Sequence, residues 1–278
     1  MELVTLKEIL KDTRQKKYAV PNFNVFNIEM LQGVLNAAQD LHSPVIIAYG
    51  EGFKDVMQVE DFPGIIKTVG AKYTVPVCIH LDHAFTYELI ERAVPCGFTS
   101  VMIDSSDKPF EENIRITQKV TDLCRPLGIS VESELGHVSG LGDMVENDDH
   151  VYTDVDTADI FVEKTGIDAL AVSIGTAHGV YREIPKLSVD RLKELAERLE
   201  LPLVLHGGSG LTDEQFRECV REGISKVNIH TDLAMAAKKR IEADIAEKGY
   251  LDLCTVAQEG VYEEAVKKIK LFGSENKA

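Results

Sequence analysis

Three of the eight histidines in this 278-residue chain stand where apolar, β-branched segments end: His83, His178 and His206. Any one histidine in such a place has a structural alternative, a hydrogen-bonded side chain with no ligand. Three neutral imidazoles that leave one coordination position open are the usual catalytic zinc arrangement, in which the metal acts as a Lewis acid on a bound oxygen. The coincidence at three segment ends therefore predicts a metal site formed by these residues.

Carboxylates stand at the same kind of position. Asp104 and Glu134 follow two other apolar segments and predict a second cation, or a second position for the first; their alternative role is to orient the histidine ligands through hydrogen bonds. Asp82 precedes His83 and is the candidate for proton transfer, with a structural hydrogen-bond acceptor as the alternative. Strand alternation turns His80 away from the residues next to it, so we expect it to pack.

A glycine-rich segment, HGGSG at 206–210, ends one apolar segment and leads into a predicted helix, with Thr212 as its cap and Gln215 closing the capping box. Glycines let backbone N–H groups approach an anion, although tight turns require glycine as well. The pattern predicts a phosphate site, with these residues: Gly179, Gly207, Gly208, Ser209, Asn228, Ile229, His230 and Thr231.

These residues need a scaffold that brings segment ends together. Eight segments are apolar without alternation, as in strands buried on both faces of a parallel sheet, and helical periodicity separates them. They span residues 18–24, 44–49, 76–81, 99–104, 129–134, 168–174, 202–206 and 225–229. Eight β/α units in a chain of this length predict an α/β fold of the (β/α)8 or TIM-barrel type, in which functional groups lie at the carboxyl ends of the strands. A doubly wound open sheet is the alternative, but no glycine fingerprint follows the first segment.

Composition limits the organisation and the partners. No linker-like segment interrupts the chain, so we expect a single domain over residues 1–278. The net charge of −16 argues against nucleic acid and anionic membranes as partners, and neither a signal peptide nor a spanning segment is recognisable. We therefore expect a cytoplasmic protein. The five cysteines are scattered, and we interpret them as reduced thiols without a chemical role.

In combination, the motifs at the segment ends resemble the class II, metal-dependent aldolases that act on fructose or tagatose bisphosphate and related ketose 1-phosphates. The resemblance covers the whole chain, from PNFN at 21–24 to KIKLFG at 268–273. It rests on LDH at 81–83, ESELG at 132–136, GTAHG at 175–179, LHGGSG at 205–210 and KVNI at 226–229.

The resemblance implies reversible cleavage of a ketose phosphate into dihydroxyacetone phosphate and an aldehyde, through an enediolate that the metal stabilises. It implies zinc on His83, His178 and His206, although cobalt, iron or manganese also suit such ligands. Asp104 and Glu134 would hold the second metal position, for another divalent or a monovalent cation. Asp82 would be the proton donor and acceptor. The phosphate residues above would hold the dihydroxyacetone phosphate part of the substrate, with Asn24 nearby, and the chain would form a homodimer or homotetramer.

The sequence departs from the family pattern in places that affect the substrate. Glycine stands where an acidic residue of the loop after the fifth segment usually supplies the base at C3, so Asp143 and Glu146 are the candidate substitutes. His230 replaces an aspartate or a small residue, and YGEG at 49–52 lacks a serine. We take the histidine and Tyr49 as indications of a less common ketose 1-phosphate, longer or with an acidic or unphosphorylated distal end.

Other functions remain as alternatives. A metal-dependent hydrolase on the same barrel would usually carry a His-x-His pair at the first strand, where this chain has Asn22-Phe-Asn24, and a non-catalytic aldolase subunit would be expected to lose metal ligands. A Schiff-base aldolase needs a lysine inside the barrel. Lys226 is the only strand lysine, and its segment places it near the strand start, the wrong end. Residues 233–271 predict two further amphipathic helices, a common kind of oligomer contact.

Overall fold

The computed structural model describes residues 1–136, 138, 152–177 and 184–278. Its strands are all parallel, and β4 pairs with both β3 and β5, so that eight of them form a closed barrel in chain order. The strands are β1 Glu2–Leu3, β2 Val20–Asn24, β3 Val45–Gly50, β4 Pro76–Ala84, β5 Ser100–Ile103, β6 Ser130–Leu135, β7 Ala169–Val172, β8 Leu203–Leu205 and β9 Ile224–Ile229. Closure of the sheet confirms the predicted TIM barrel and excludes the doubly wound alternative. The short strand β1, which the sequence did not predict, pairs with the start of β4 outside the barrel order.

Helices follow the strands and cover the outside of the barrel, except the first, which closes its amino-terminal end. They are α1 Leu6–Leu10, α2 Thr13–Lys16, α3 Ile28–Asp40, α4 Phe62–Gly70, α5 Tyr87–Ala93, α6 Phe110–Cys124, α7 Val155–Thr165, α8 Val189–Arg198, α9 Asp213–Arg221, α10 Thr231–Asp244 and α11 Tyr250–Leu271. The predicted capping box is confirmed at α9, where Thr212 and Gln215 satisfy each other's backbone N–H groups. The two predicted C-terminal helices are present as α10 and α11, and α11 packs against α3 and α10.

Strand alternation divides the core into two clusters. Side chains such as Ile47 and Ile79 face the helices and belong to the larger cluster. Ile46 and Cys78 face the interior of the barrel and pack in the smaller cluster with Leu6 of α1, which closes the amino-terminal end. Toward the carboxyl ends of the strands, many of the buried interior residues are polar, among them Asn24, Asp82 and Glu134. The barrel thus carries its polar groups at the end where TIM barrels place their chemistry.

The strand β4 runs further than the sequence predicted. Its segment was expected to end at Leu81, but pairing with β5 resumes at Ala84 after an irregularity that contains one extra residue on β4. His83 takes a left-handed backbone conformation there, with φ of 47°. Bulges of this kind re-aim side chains next to active sites, and a non-glycine residue adopts positive φ only when its surroundings enforce it. As a result, Asp82 and His83 both reach the barrel mouth instead of pointing to opposite faces.

Within the described residues, the helices are all too short or too polar to span a bilayer.

Candidate active site

Two of the predicted histidine ligands meet at the mouth of the barrel. Nε2 of His83 lies 2.6 Å from Nδ1 of His206. A carboxylate oxygen of Asp82 and one nitrogen of each ring all lie within 4.8 Å of one another. The third predicted ligand, His178, lies outside the described residues, as do Gly179 and the candidate loop bases Asp143 and Glu146.

Carboxylates fix which nitrogen of each ring faces this point. Nδ1 of His83 is 2.9 Å from Oδ2 of Asp104, and Nε2 of His206 is 2.8 Å from Oε1 of Glu132. An ionised carboxylate only accepts hydrogen bonds, so each of these ring nitrogens carries a proton and donates it. The opposite nitrogens, Nε2 of His83 and Nδ1 of His206, are therefore the ones available to bind a shared cation.

The charges of the two rings differ. Burial opposes protonation of His83, but the carboxylates of Asp82 and Asp104 outweigh it and raise its pKa to about 9. Burial and the neighbouring His83 charge lower the pKa of His206. The two facing nitrogens would be two of the ligands of a shared divalent cation. The paired nitrogens and their carboxylate anchors fit the donor set expected of a zinc site.

A second set of potential ligands adjoins the first. His83, Asp104 and Glu134 each offer an atom within 4.8 Å of the others. Oε1 of Glu134 accepts a hydrogen bond from the Val138 N–H, whereas its buried Oε2 has no hydrogen bond to the described residues. Burial, reinforced by the Asp104 charge, raises the pKa of Glu134 to about 8. Two acidic side chains this close together in a buried place are where a cation would be stabilised, which fits the predicted second metal position.

Asp82 is held by two amides. Nδ2 of Asn24 donates to Oδ2 over 2.8 Å, and Nδ2 of Asn228 donates to Oδ1 over 2.9 Å. Burial acts against ionisation, but neighbouring positive charge, above all that of His83 and also that of Lys226, holds the pKa of Asp82 well below its usual range. The carboxylate is therefore ionised and fixed in orientation, as a proton acceptor needs to be. Both asparagines were predicted to hold the substrate; in the structure their amide N–H groups bind Asp82.

The glycine loop lies beside the start of α10, where the predicted phosphate site requires it. The Asp232 N–H points at Oγ of Ser209 over 3.4 Å, which joins the loop to the first turn of the helix that Thr231 begins. Gly207 has φ of 64°, and a Cβ there would lie 2.4 Å from the Ala177 carbonyl oxygen, so only glycine fits. Gly208 is also tightly enclosed, since a Cβ would lie 3.2 Å from the Asn228 carbonyl. Backbone N–H groups at a helix N-terminus are suited to a phosphate.

Two predicted specificity residues have different surroundings from those expected. The ring centroids of Phe26 and Phe53 lie 6.1 Å and 5.2 Å from that of His230. The three side chains together form an aromatic cluster at the rim of the barrel. Tyr49, in contrast, is 1% exposed in the core outside the barrel, and its hydroxyl donates to the Met57 carbonyl. Its predicted part in substrate selection is wrong, because alternation along β3 points it away from the interior. The side chain of Ile229 is likewise buried in the outer core, so that only its backbone is available to a ligand.

Sequence reasoning missed a buried ion pair in the barrel interior. Nζ of Lys226 lies 2.7 Å from Oε2 of Glu132 and 3.3 Å from Nε2 of His80, and all three side chains are fully buried. Lys226 is the third of the six residues of β9, in the half nearer the strand start, and its pairing with Glu132 adds a second argument against a Schiff-base role. The spacing of these residues could have predicted the pair. Glu132 lies two residues before Glu134, and Lys226 lies two residues before Asn228, so each shares a strand face with a predicted site residue and points into the barrel.

Comparisons with known proteins identify the family of this chain. The family model described as fructose-bisphosphate aldolase class-II matches residues 4–277. The chain is 44% identical over 269 residues to the uncharacterized protein YdjI of Escherichia coli, covering 96% of each, and 39% identical over 290 residues to the fructose-bisphosphate aldolase of Staphylococcus epidermidis, covering all of both.

Solved structures give the same result. The crystal structure of the YdjI aldolase from Escherichia coli superposes with a TM-score of 0.91 at 42% identity and covers 99% of both chains. The fructose-bisphosphate aldolase of Campylobacter jejuni, at 23% identity, has a TM-score of 0.86, covers 100% of this chain and 97% of its own, and supports the fold. The matched family model, the aldolase relatives and the barrel architecture together show that this chain is an aldolase of the class II fructose-bisphosphate aldolase family.

Proposed function

We propose that this enzyme is a zinc-dependent class II aldolase that reversibly cleaves a ketose 1-phosphate or ketose 1,6-bisphosphate into dihydroxyacetone phosphate and an aldehyde. The observation that supports this most directly is the position of Asp82. Its ionised carboxylate lies beside the two converging ring nitrogens of His83 and His206. A proton acceptor next to a cation site is what cleavage of a carbon–carbon bond adjacent to a ketone requires.

The metal would be held by His83 and His206, with His178 as the predicted third ligand. When bound, zinc supplies Lewis-acid stabilisation of the negative charge that develops on the substrate oxygens. Asp104 fixes the ring of His83 through its 2.9 Å contact with Nδ1. Together with Glu134 it offers a second position for zinc, for another divalent ion or for a monovalent cation.

Asp82 would take the proton from the C4 hydroxyl as the C3–C4 bond breaks, and return it in the synthetic direction. Asn24 and Asn228 donate one hydrogen bond to each carboxylate oxygen, so they keep Asp82 ionised and oriented. General acid–base catalysis of this kind contributes about 10²- to 10⁴-fold to a rate. Asp143 and Glu146 stay the proposed sources of the base at C3.

The phosphate of the dihydroxyacetone phosphate part would bind between the glycine loop and the start of α10. Tight packing at Gly207 and Gly208 fixes the loop beside the first turn of α10, which Thr231 begins and where the Asp232 N–H donates to Oγ of Ser209. Backbone N–H groups at the helix N-terminus add an electropositive field without a charged side chain. This arrangement suits the doubly charged phosphate of a small sugar phosphate, the only partner besides the metal that we propose.

The aromatic cluster of Phe26, Phe53 and His230 favours one alternative substrate within this function. Gly50 lies between this cluster and the Asp82 site. A Cβ at Gly50 would lie 3.5 Å from the Phe53 ring on one side and 3.7 Å from Nδ2 of Asn24, which binds Asp82, on the other. A histidine held against two phenylalanines at this place supports the alternative of a longer ketose 1-phosphate or one with an acidic distal end. The experiment below includes both classes.

The test is release of dihydroxyacetone phosphate, followed by coupled reduction to glycerol 3-phosphate. We expect cleavage that a chelator abolishes and zinc restores, and a loss of about 10²- to 10⁴-fold in kcat for Asp82→Ala. Asp190→Asn, a change at an exposed carboxylate on α8, is the matched control and should keep full activity. Metal-bound enzyme that releases no dihydroxyacetone phosphate from any ketose phosphate would refute the proposal.

A substrate panel separates the two substrate classes. It compares kcat/KM for fructose 1,6-bisphosphate, tagatose 1,6-bisphosphate and longer ketose 1-phosphates with neutral or carboxylate ends. Equal or better rates on fructose 1,6-bisphosphate would exclude the longer substrate. We also propose that the enzyme is cytoplasmic and a homodimer or homotetramer, and light scattering during gel filtration would give the subunit number.

A further inference from the structure

A continuous line of buried polar contacts crosses the barrel below the proposed metal site. Oγ of Ser100 lies 2.9 Å from Nδ1 of His80, and Nε2 of His80 lies 3.3 Å from Nζ of Lys226. Lys226 contacts Oε2 of Glu132 over 2.7 Å, and Oε1 of Glu132 contacts Nε2 of His206 over 2.8 Å. All five residues are fully buried. The line ends on a residue that we assign to the metal.

Stability alone gives no reason for these charges. Taking a lysine and a glutamate out of water costs more than their attraction commonly returns, and apolar residues of similar size often replace a buried pair without loss. Other interior positions of the same barrel are filled by apolar side chains, among them Met102 and Val204, which pair in register with Glu132 and Lys226. The fold can thus fill this space with apolar side chains, and the pair has to be explained by what it contacts.

The direction of each hydrogen bond follows from the chemistry of the groups. An ammonium can only donate, so Nε2 of His80 accepts from Lys226 and Nδ1 of His80 donates to Ser100. An ionised carboxylate can only accept, so Glu132 receives one hydrogen bond from Lys226 and one from Nε2–H of His206. The outcome is that Nδ1 of His206 has its lone pair directed at the point it shares with His83.

We propose that Glu132 and Lys226 are positioning residues for the metal ligand His206. Glu132 holds the ring in the tautomer whose Nδ1 faces the metal position, and Lys226 holds the Glu132 carboxylate in place through its 2.7 Å contact with Oε2. His80 and Ser100 hold the lysine ammonium in its place. This inference rests on the proposed metal site but assigns a function to residues that do not touch metal or substrate themselves.

The experiment compares Glu132→Gln, Lys226→Met and the double variant with both changes. Each single change leaves a buried charge without its partner, so we expect both single variants to lose stability. The double variant removes both charges and should recover most of that loss. An amide at position 132 can donate to Nε2 of His206 and so favour the tautomer with a protonated Nδ1, which cannot bind a metal.

The measurements are the zinc dissociation constant, from competition with a chromophoric chelator, and the visible absorption of the cobalt-loaded protein. Circular dichroism and thermal unfolding of the metal-free protein report folding separately. We expect the double variant to be folded, yet to bind zinc about 10- to 100-fold more weakly than the wild type and to give an altered cobalt spectrum. Asp168→Asn, a carboxylate-to-amide change beside Lys7 at the opposite end of the barrel, should leave zinc affinity unchanged.

The outcomes separate the two proposals. A folded double variant with wild-type zinc affinity and an unchanged cobalt spectrum would show that the ion pair only fills the barrel, and would overturn this inference alone. Wild-type protein that binds neither zinc nor cobalt would overturn the proposed metal-dependent function, and this inference with it.

Discussion

Replacement of Asn24 by alanine separates two roles for this residue. The sequence predicted substrate binding, whereas the structure shows its amide donating to Asp82 over 2.8 Å. A hydrogen bond to a charged group contributes about 1.5–3 kcal/mol. If the variant loses this stabilisation in the transition state, kcat falls by about 10- to 150-fold. KM should stay nearly constant. Asn36→Ala, which removes an amide that contacts Tyr73 away from the barrel mouth, is the matched control.

A double-mutant cycle tests the same reasoning more strictly. If Asn24 acts through Asp82, its replacement in an Asp82→Ala background should change kcat/KM by less than about twofold, because the carboxylate it serves is gone. Coupled assays at high enzyme concentration can measure the residual rate. An equal loss from Asn24→Ala in both backgrounds, accompanied by a raised KM, would refute the role assigned here and restore direct substrate binding.

Three further predictions concern stability and thiol chemistry. Gly207→Ala should lower the free energy of unfolding in urea by more than about 1 kcal/mol, because positive φ and a Cβ 2.4 Å from a carbonyl oxygen are both unfavourable. Gly52→Ala, in open space, is the control, and equal stability of the two variants would contradict the argument. Zinc at 100 times its dissociation constant should add about 2.7 kcal/mol to the unfolding free energy of chelator-treated protein, and an unchanged melting temperature would exclude such binding. Burial raises the pKa of Cys78 and Cys219 to about 12, so few of these thiols are thiolates at neutral pH. We therefore expect iodoacetamide to label neither residue before the protein unfolds. Rapid labelling of the native protein, detected by mass spectrometry, would contradict this.

The architecture was predictable because eight buried segments with helical spacers leave few alternatives. Strand pairing in chain order and the position of polar groups at one rim followed from that pattern. The short elements β1, α1 and α2 were not predicted, because two to five residues carry too little periodicity. The true end of β4 was missed for a different reason: a bulge depends on pairing with the neighbouring strand, which no local pattern records.

The site was predictable in its residue types more than in their contacts. His83, His206, Asp82, Asp104 and Glu134 were all named from the sequence, and the structure brings them together. Which carboxylate anchors which ring was not predictable, because contacts such as that between Glu132 and His206 cross the barrel between strands distant in the chain. The environment of Tyr49 was misjudged because a residue next to a strand end can face the barrel interior or the surrounding helices. Which of the two it faces depends on which residues of β3 point into the barrel, and that was not known from the sequence.

The left-handed turn at His83 has a consequence for how this scaffold can diversify. Neighbouring residues of one strand, Asp82 and His83, supply the proton acceptor and a metal ligand, so a single peptide unit sets the spacing between the two. Loops that follow other strands can change in length and composition without altering that spacing. Exchange of the aromatic side chains at Phe26 and Phe53 is thus a route to altered substrate range that leaves the reactive geometry untouched, whereas straightening of β4 would separate the two groups.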